Sequence, residues 1–125
     1  IAHEVGHHVQ QLLGVLPEAQ RLQRQVGQIE ANAIEVRVEL QADCYAGVWG
    51  HHADRARGLL ERGDLDEALN AAAAVGDDTI QRKATGTVQP ETFTHGTAAQ
   101  RARWFRIGFD SGDAGACDTF SAATL

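Results

Sequence analysis

The sequence predicts an all-α fold, and three observations carry that prediction. Its 125 residues are rich in the helix formers Ala, Leu, Glu, Gln and Arg. Long alternating runs of β-branched residues, the mark of strands, are missing. The segment Val36 to Trp49 has helical length and is apolar nearly all round, as a buried helix is.

The elements follow in order. A first helix is expected from about Ile1 to Leu13, stopped by Gly14. Ala2, Val5, Val9, Leu12 and Leu13 read as its buried side, with His3, His7 and Gln10 pointing elsewhere. Pro17 opens a polar helical stretch, Glu18 to about Gln28, expected to be exposed. Asn32 is placed to cap the long apolar helix, which is expected to end near Gly50 to His52. Ala56 to Arg62 and Leu65 to Ala74 read as a helical hairpin around Gly63, with Asp64 and Glu67 resembling a capping box. Residues 83–95, with Gly86, Pro90 and scattered threonines, read as loop. Thr97 to Gln100 offers a second capping box, followed by an apolar stripe of Ala98, Ala102, Phe105 and Phe109. The Gly-, Ser- and Asp-rich tail after Asp110 reads as irregular.

Chemistry concentrates in two of these helices. His3-Glu4-Val5-Gly6-His7 is the HExxH zinc-hydrolase pattern. An α-helix turns ~100° per residue, so His3 and His7 leave one face about a turn apart and can grip one ion, with Glu4 free to act on a metal-bound water. The bland alternative is a surface helix with two ordinary histidines. In the long helix, Glu39 and Asp43 are also four apart. Burying an ionised carboxylate without a partner costs several kcal/mol, so each requires one. A zinc ion held by His3 and His7 would partner Glu39 as third ligand, and Asp43 could accept the free ring N–H of a ligating histidine. Otherwise both carboxylates pair with Arg21, Arg24, Arg37 or another arginine.

Other residues have a functional and a plainer reading. His8 is turned ~100° from His7 and reads as an ordinary neighbour. His51 and His52 read as ending the long helix, where an imidazolium suits the dipole. His95 precedes a helix N-terminus, and either packs in its loop or hydrogen-bonds the oxyanion formed at a scissile carbonyl. Tyr45 could fill the same role, but its apolar helix favours core packing. Arg101, Arg103 and Arg106 read as a solvated face. Cys44 is turned ~140° from Glu39, poorly placed for the same ion.

Net charge −6 and a pI near 5.4 argue against nucleic acid, which calls for basic stripes. No stretch approaches the ~20 apolar residues that cross a bilayer, so this portion is not expected to span a membrane. One domain's worth of chain is present, enough for a modest core.

HEVGHHVQ at 3–10, ELQADCYAGVW at 39–49, GDLDEALNAAAAVGDD at 63–78, FTHGTAAQRARWF at 93–105 and GFDSGDAGACDTF at 108–120 together resemble the bacterial neutral zinc metallopeptidase family. That family is similar to the gluzincins, in which a Glu from a following helix completes the ligand set. The resemblance implies a Zn2+ cofactor held by His3, His7 and Glu39, Glu4 as general base, Asp43 orienting a ligand, and a peptide or protein substrate. It also implies sequence ahead of HExxH, including a membrane anchor, and hence an extracytoplasmic or membrane-anchored location. The chain opens at Ile1, two residues before the first histidine, and contains no methionine. It therefore reads as the single helical, C-terminal part of a zincin-like domain whose N-terminal sheet lies outside it. The exported topology, with a cysteine count of two, suggests a Cys44–Cys117 disulfide, although either cysteine could pair with one in the preceding segment.

Two rival readings stay open. The hairpin from Leu59 to Leu69 is similar to one tetratricopeptide-like helix pair, but no second copy follows, so a helical interaction module is poorly supported. A zinc site used only as a structural staple is the other; a fourth protein ligand would mark it.

Overall fold

A computed structural model describes all 125 residues and is built from helices, with no strand. The helices are α1 (Ala2–Leu12), α2 (Val15–Gln23), α3 (Gln28–Arg57), α4 (Asp64–Ala74), α5 (Asp77–Thr85) and α6 (Ala98–Ser111). Two 3₁₀ turns, Pro90–Thr92 and Ala114–Cys117, complete the chain.

The 30-residue α3 is the axis of the molecule, ~45 Å long. Helices α1, α2 and α6 pack directly on it, and α4 packs on α6. The crossing of α3 and α6 is unusually close because glycines face each other across it. A Cβ on Gly47 would overlap the Phe105 carbonyl, and one on Gly108 would overlap the Cys44 carbonyl. The core beside this crossing comprises Val36, Leu40, Cys44, Phe93, Trp104 and Cys117.

Several boundaries differ from the sequence expectation. Helix α3 begins at Gln28, with Gly27 as N-cap, so Asn32 lies inside it and spends its side-chain N–H on the Glu91 carbonyl at 3.1 Å. It continues past Gly50 to Arg57, because Gly50 packs under the Phe109 ring and tertiary contact overrides a weak helix former. The stop is Gly58 at φ 58°, a left-handed conformation cheap only for glycine. Residues 58–62 are consequently a connection, so the expected hairpin does not form, and α4 packs on α6 instead. The Asp64–Glu67 capping box does not form; Asp64 instead accepts the Glu61 N–H at 2.7 Å. Helix α2 starts at Val15, with Pro17 in its first turn, where its missing N–H is not needed. Helix α5 occupies the start of the expected loop, with Asp77 and Asp78 at its positive end and Arg82 and Lys83 at its negative end. The capping box at Thr97 and Gln100 is formed in both directions.

Two apolar faces also differ. Helix α1 buries Gly6 and Gln10, while Val5, Leu12 and Leu13 are exposed. Its polar face meets Glu39, Gln41 and Asp43 of α3, so matched polar groups, rather than the apolar stripe, form that contact. Helix α6 buries Arg101, Trp104 and Gly108 most deeply, leaving the predicted stripe half-buried towards α4.

The irregular tail is pinned to α3. Cys44 and Cys117 form a disulfide, with Cα atoms 5.6 Å apart. Thr119, fully buried, donates its hydroxyl to the Arg37 carbonyl at 2.6 Å, and the Arg37 guanidinium donates to the carbonyls of Thr119 and Ala122.

Candidate metal centre

The HExxH turn presents His3 and His7 from α1, and one turn of α3 presents Glu39 opposite them. The two helices meet closely because Gly6 sits between the histidines: a Cβ there would lie 2.8 Å from the Ala42 carbonyl oxygen. His3 Nε2 is 3.0 Å from Glu39 Oε2, and His7 Nε2 is 3.2 Å from Glu39 Oε1. One donor atom from each of the three residues falls within a 4.8 Å group. Donors ~2.0–2.1 Å from a tetrahedral ion stand roughly 3.3–3.4 Å apart. Two imidazoles and a carboxylate fit zinc in chemistry, and the two histidine–carboxylate separations come close to the tetrahedral value.

The outer nitrogens of both rings are engaged. His3 Nδ1 lies 2.8 Å from Asp43 Oδ1, and His7 Nδ1 lies 2.9 Å from Gln10 Oε1. Asp43 is held in turn by Arg101, whose Nε and Nη2 donate to its two oxygens at 2.9 and 3.1 Å. Arg101 is thus a buried partner of the site, not part of a solvated face, because α6 crosses α3 at Asp43. Arg103 and Arg106 are exposed as expected. Arg21 pairs with Glu18 and Arg37 holds the tail, so neither reaches the two carboxylates.

Electrostatics follow from these contacts. Burial alone would lower the His3 imidazole, but hydrogen bonds and charge from Asp43 and Glu39 outweigh it and push its pKa to about 9. Burial would raise Glu39, yet the His3 hydrogen bond and the charges of His7, His3 and His95 hold it below the usual carboxylate range. Arg101, opposed by desolvation, is kept charged by its hydrogen bonds and attraction to Asp43.

Glu4 is exposed, on the turn that carries the histidines. His95 is exposed in the loop before α6, near enough for its charge to act on Glu39. The loop is gripped by Asp77, whose Oδ2 accepts the backbone N–H groups of Thr94, His95 and Gly96 at 2.9, 2.7 and 2.9 Å. Asp77 escaped the sequence reading; the adjacent acidic pair before a short helix was the available signal. From the sequence, Gln10 is grouped with His3 and His7 on the polar face but is given no role, although its i+3 spacing from His7 brings the two side chains together. Tyr45 is half-buried against the core, and burial raises its pKa. His8 is exposed. His51 and His52 do not end α3; they donate to the Phe109 and Gly112 carbonyls, each at 2.7 Å, and so close the end of α6.

The largest recess, about 470 Å³ and bordered by Val36, Arg82 and Phe93, lies away from the three donors. An apolar recess of about 200 Å³ adjoins α1 and is lined by Val5, Val9, Tyr45 and Trp49 among others. No helix is long and apolar enough to cross a membrane.

Comparison with known proteins adds the family. Residues 1–120 match the family described as "Putative neutral zinc metallopeptidase". An Escherichia coli protein named "Uncharacterized protein YpfJ" is 59% identical over 120 residues, covering 96% of this chain and 42% of the relative. A Mycobacterium tuberculosis protein named "Uncharacterized protein Rv2575" is 53% identical over 134 residues, covering all of this chain and 44% of the relative. The chain thus spans less than half the length of these relatives. No solved structure matches it. The matched span takes in both helices that face each other across the three donors, and this chain belongs to the neutral zinc metallopeptidase family.

Proposed function

We propose that this chain carries the zinc centre of a peptidase, with His3, His7 and Glu39 as ligands and Glu4 as the general base in hydrolysis of peptide bonds. The observation that supports it most is the spacing of the three donors, which suits one tetrahedral ion. When bound, zinc lowers the pKa of a coordinated water toward ~7 and polarises a carbonyl. Glu4, exposed on the same turn, accepts a proton from the attacking water and passes it to the leaving amine. Asp43 holds the His3 ring, and Arg101 holds Asp43. His95, on the loop clamped by Asp77, is the residue we assign to donate a hydrogen bond to the oxyanion. A peptide or protein is the substrate this chemistry serves.

The purely structural zinc site calls for a fourth protein ligand. The donor cluster comprises three residues, and Asp43 is already occupied by His3 and Arg101, which favours the catalytic reading. The Cys44–Cys117 disulfide supports placing the protein in an oxidising, extracytoplasmic compartment; the membrane anchor in the remainder of the full-length protein rests on the family resemblance alone.

Zinc content and peptide hydrolysis, measured together on the full-length protein, test the assignment. Glu4→Gln is expected to keep zinc and lose hydrolysis by at least about 100-fold. Glu39→Ala is expected to lose zinc itself. Equal metal content and equal activity in both variants and wild type would defeat the reading.

A further inference from the structure

The ring of His7 is the start of a buried chain of hydrogen bonds that runs across α3 to the disulfide. Gln10 Nε2 donates to the Val38 carbonyl at 2.8 Å and to Gln41 Oε1 at 2.9 Å. Gln41 Nε2 donates to the Cys117 carbonyl at 2.9 Å. Gln10 and Cys117 are fully buried and Gln41 is 5% exposed, so the links from Gln10 to Cys117 are shielded from water.

The direction of every bond in this chain is determined by donor bookkeeping. A backbone carbonyl only accepts, so the Val38 oxygen requires the NH₂ end of Gln10, and the Cys117 oxygen requires the NH₂ end of Gln41. With both amides so oriented, Gln41 offers an oxygen to Gln10, and Gln10 offers an oxygen to His7. His7 Nδ1 must then carry a proton, so that Nε2, the nitrogen facing Glu39, is the one left to bind a metal ion. Cys117 keeps its carbonyl in place because its side chain is bonded to Cys44, one residue beyond Asp43.

We propose that Gln10 and Gln41 are positioning residues that hold His7 in its metal-binding tautomer, with the disulfide-anchored Cys117 carbonyl as the fixed end of the relay. The proposal rests on His7 being a zinc ligand. Neither glutamine touches the reacting atoms; Gln41 acts only through Gln10.

The test uses the full-length protein, stripped of metal, with zinc affinity measured by competition against a chromophoric chelator and cobalt substitution read by visible absorption. Loss of such a supporting partner typically costs 10–100-fold in metal affinity. Gln10→Leu is expected to weaken zinc about 10–100-fold and to alter the cobalt spectrum. Gln41→Leu is expected to produce a smaller loss of the same kind. Because Gln41 acts through Gln10, the double variant is expected to match Gln10→Leu alone; additive losses would overturn the relay. Unchanged affinity and an unchanged cobalt spectrum in Gln10→Leu would overturn it too. Nitrogen-15 NMR of the wild-type zinc-loaded protein reads the tautomer whether or not a variant folds: a proton on His7 Nδ1 supports the proposal, and one on Nε2 overturns it. His7→Ala separates the two levels. If it binds zinc as tightly as wild type, His7 is not a ligand and the parent assignment fails; if it loses zinc while Gln10→Leu does not, only the relay fails.

Discussion

Gly6→Ala is the most direct test of how the metal centre is assembled. The added Cβ would sit 2.8 Å from the Ala42 carbonyl oxygen and 3.1 Å from the Ala42 Cα, where ordinary contact begins at 3.4 Å. Both neighbours are α3 backbone, so α1 itself must retreat, by 3.4 − 2.8 = 0.6 Å to restore ordinary contact. That retreat carries His3 and His7 away from Glu39, whose oxygens stand 3.0 and 3.2 Å from their Nε2 atoms. Coordination tolerates departures of only about ±0.2 Å per bond. Metal binding must therefore pull α1 back into the clash. Overpacking of this kind costs about 1–3 kcal/mol, which corresponds to roughly 5- to 160-fold in affinity. Helix propensity works the other way, since Ala in place of Gly stabilises α1 by up to about 1 kcal/mol. The variant should thus fold normally by circular dichroism while binding zinc more weakly in chelator competition. Wild-type affinity in Gly6→Ala would refute the claim that the close approach of α1 to α3 sets the ligand spacing.

Two further predictions concern stability. Asp43→Ala leaves the buried Arg101 charge without its carboxylate and frees the His3 ring, so unfolding stability should fall by about 3–5 kcal/mol in denaturant titration. A loss below about 1 kcal/mol would mean that Arg101 finds another partner or water. Replacing Cys44 and Cys117 together by Ala opens a loop with sequence separation 73 and should cost about 4 kcal/mol by loop entropy, seen as a lower denaturation midpoint. An unchanged midpoint would show that the Thr119 and Arg37 contacts suffice to hold the tail.

Much of the centre was legible because helix periodicity is local. HExxH spacing alone places His3 and His7 on one face, and Glu39 and Asp43 share a face for the same reason. Thr97 with Gln100 likewise announced its capping box, since both partners lie within one turn. Legibility failed where a distant segment decided. Val5, Leu12 and Leu13 look like a core face, yet α1 turns its polar face inward because α3 offers Glu39, Gln41 and Asp43 to receive it. Arg101 looks like one of three solvated arginines until the α3–α6 crossing lays it on Asp43. Gly50 looks like a helix end until Phe109 packs against it.

By itself, the sequence determined the helical class, the HExxH pattern and the residues that share each helix face. These depend on a repeat of 3.6 residues and on side-chain chemistry, both readable within a few turns. Only the tertiary structure decided how closely α1 meets α3, which partners hold Asp43 and His7, and where the disulfide-tethered tail lies. Those outcomes depend on contacts between residues up to 85 positions apart, which local periodicity does not encode.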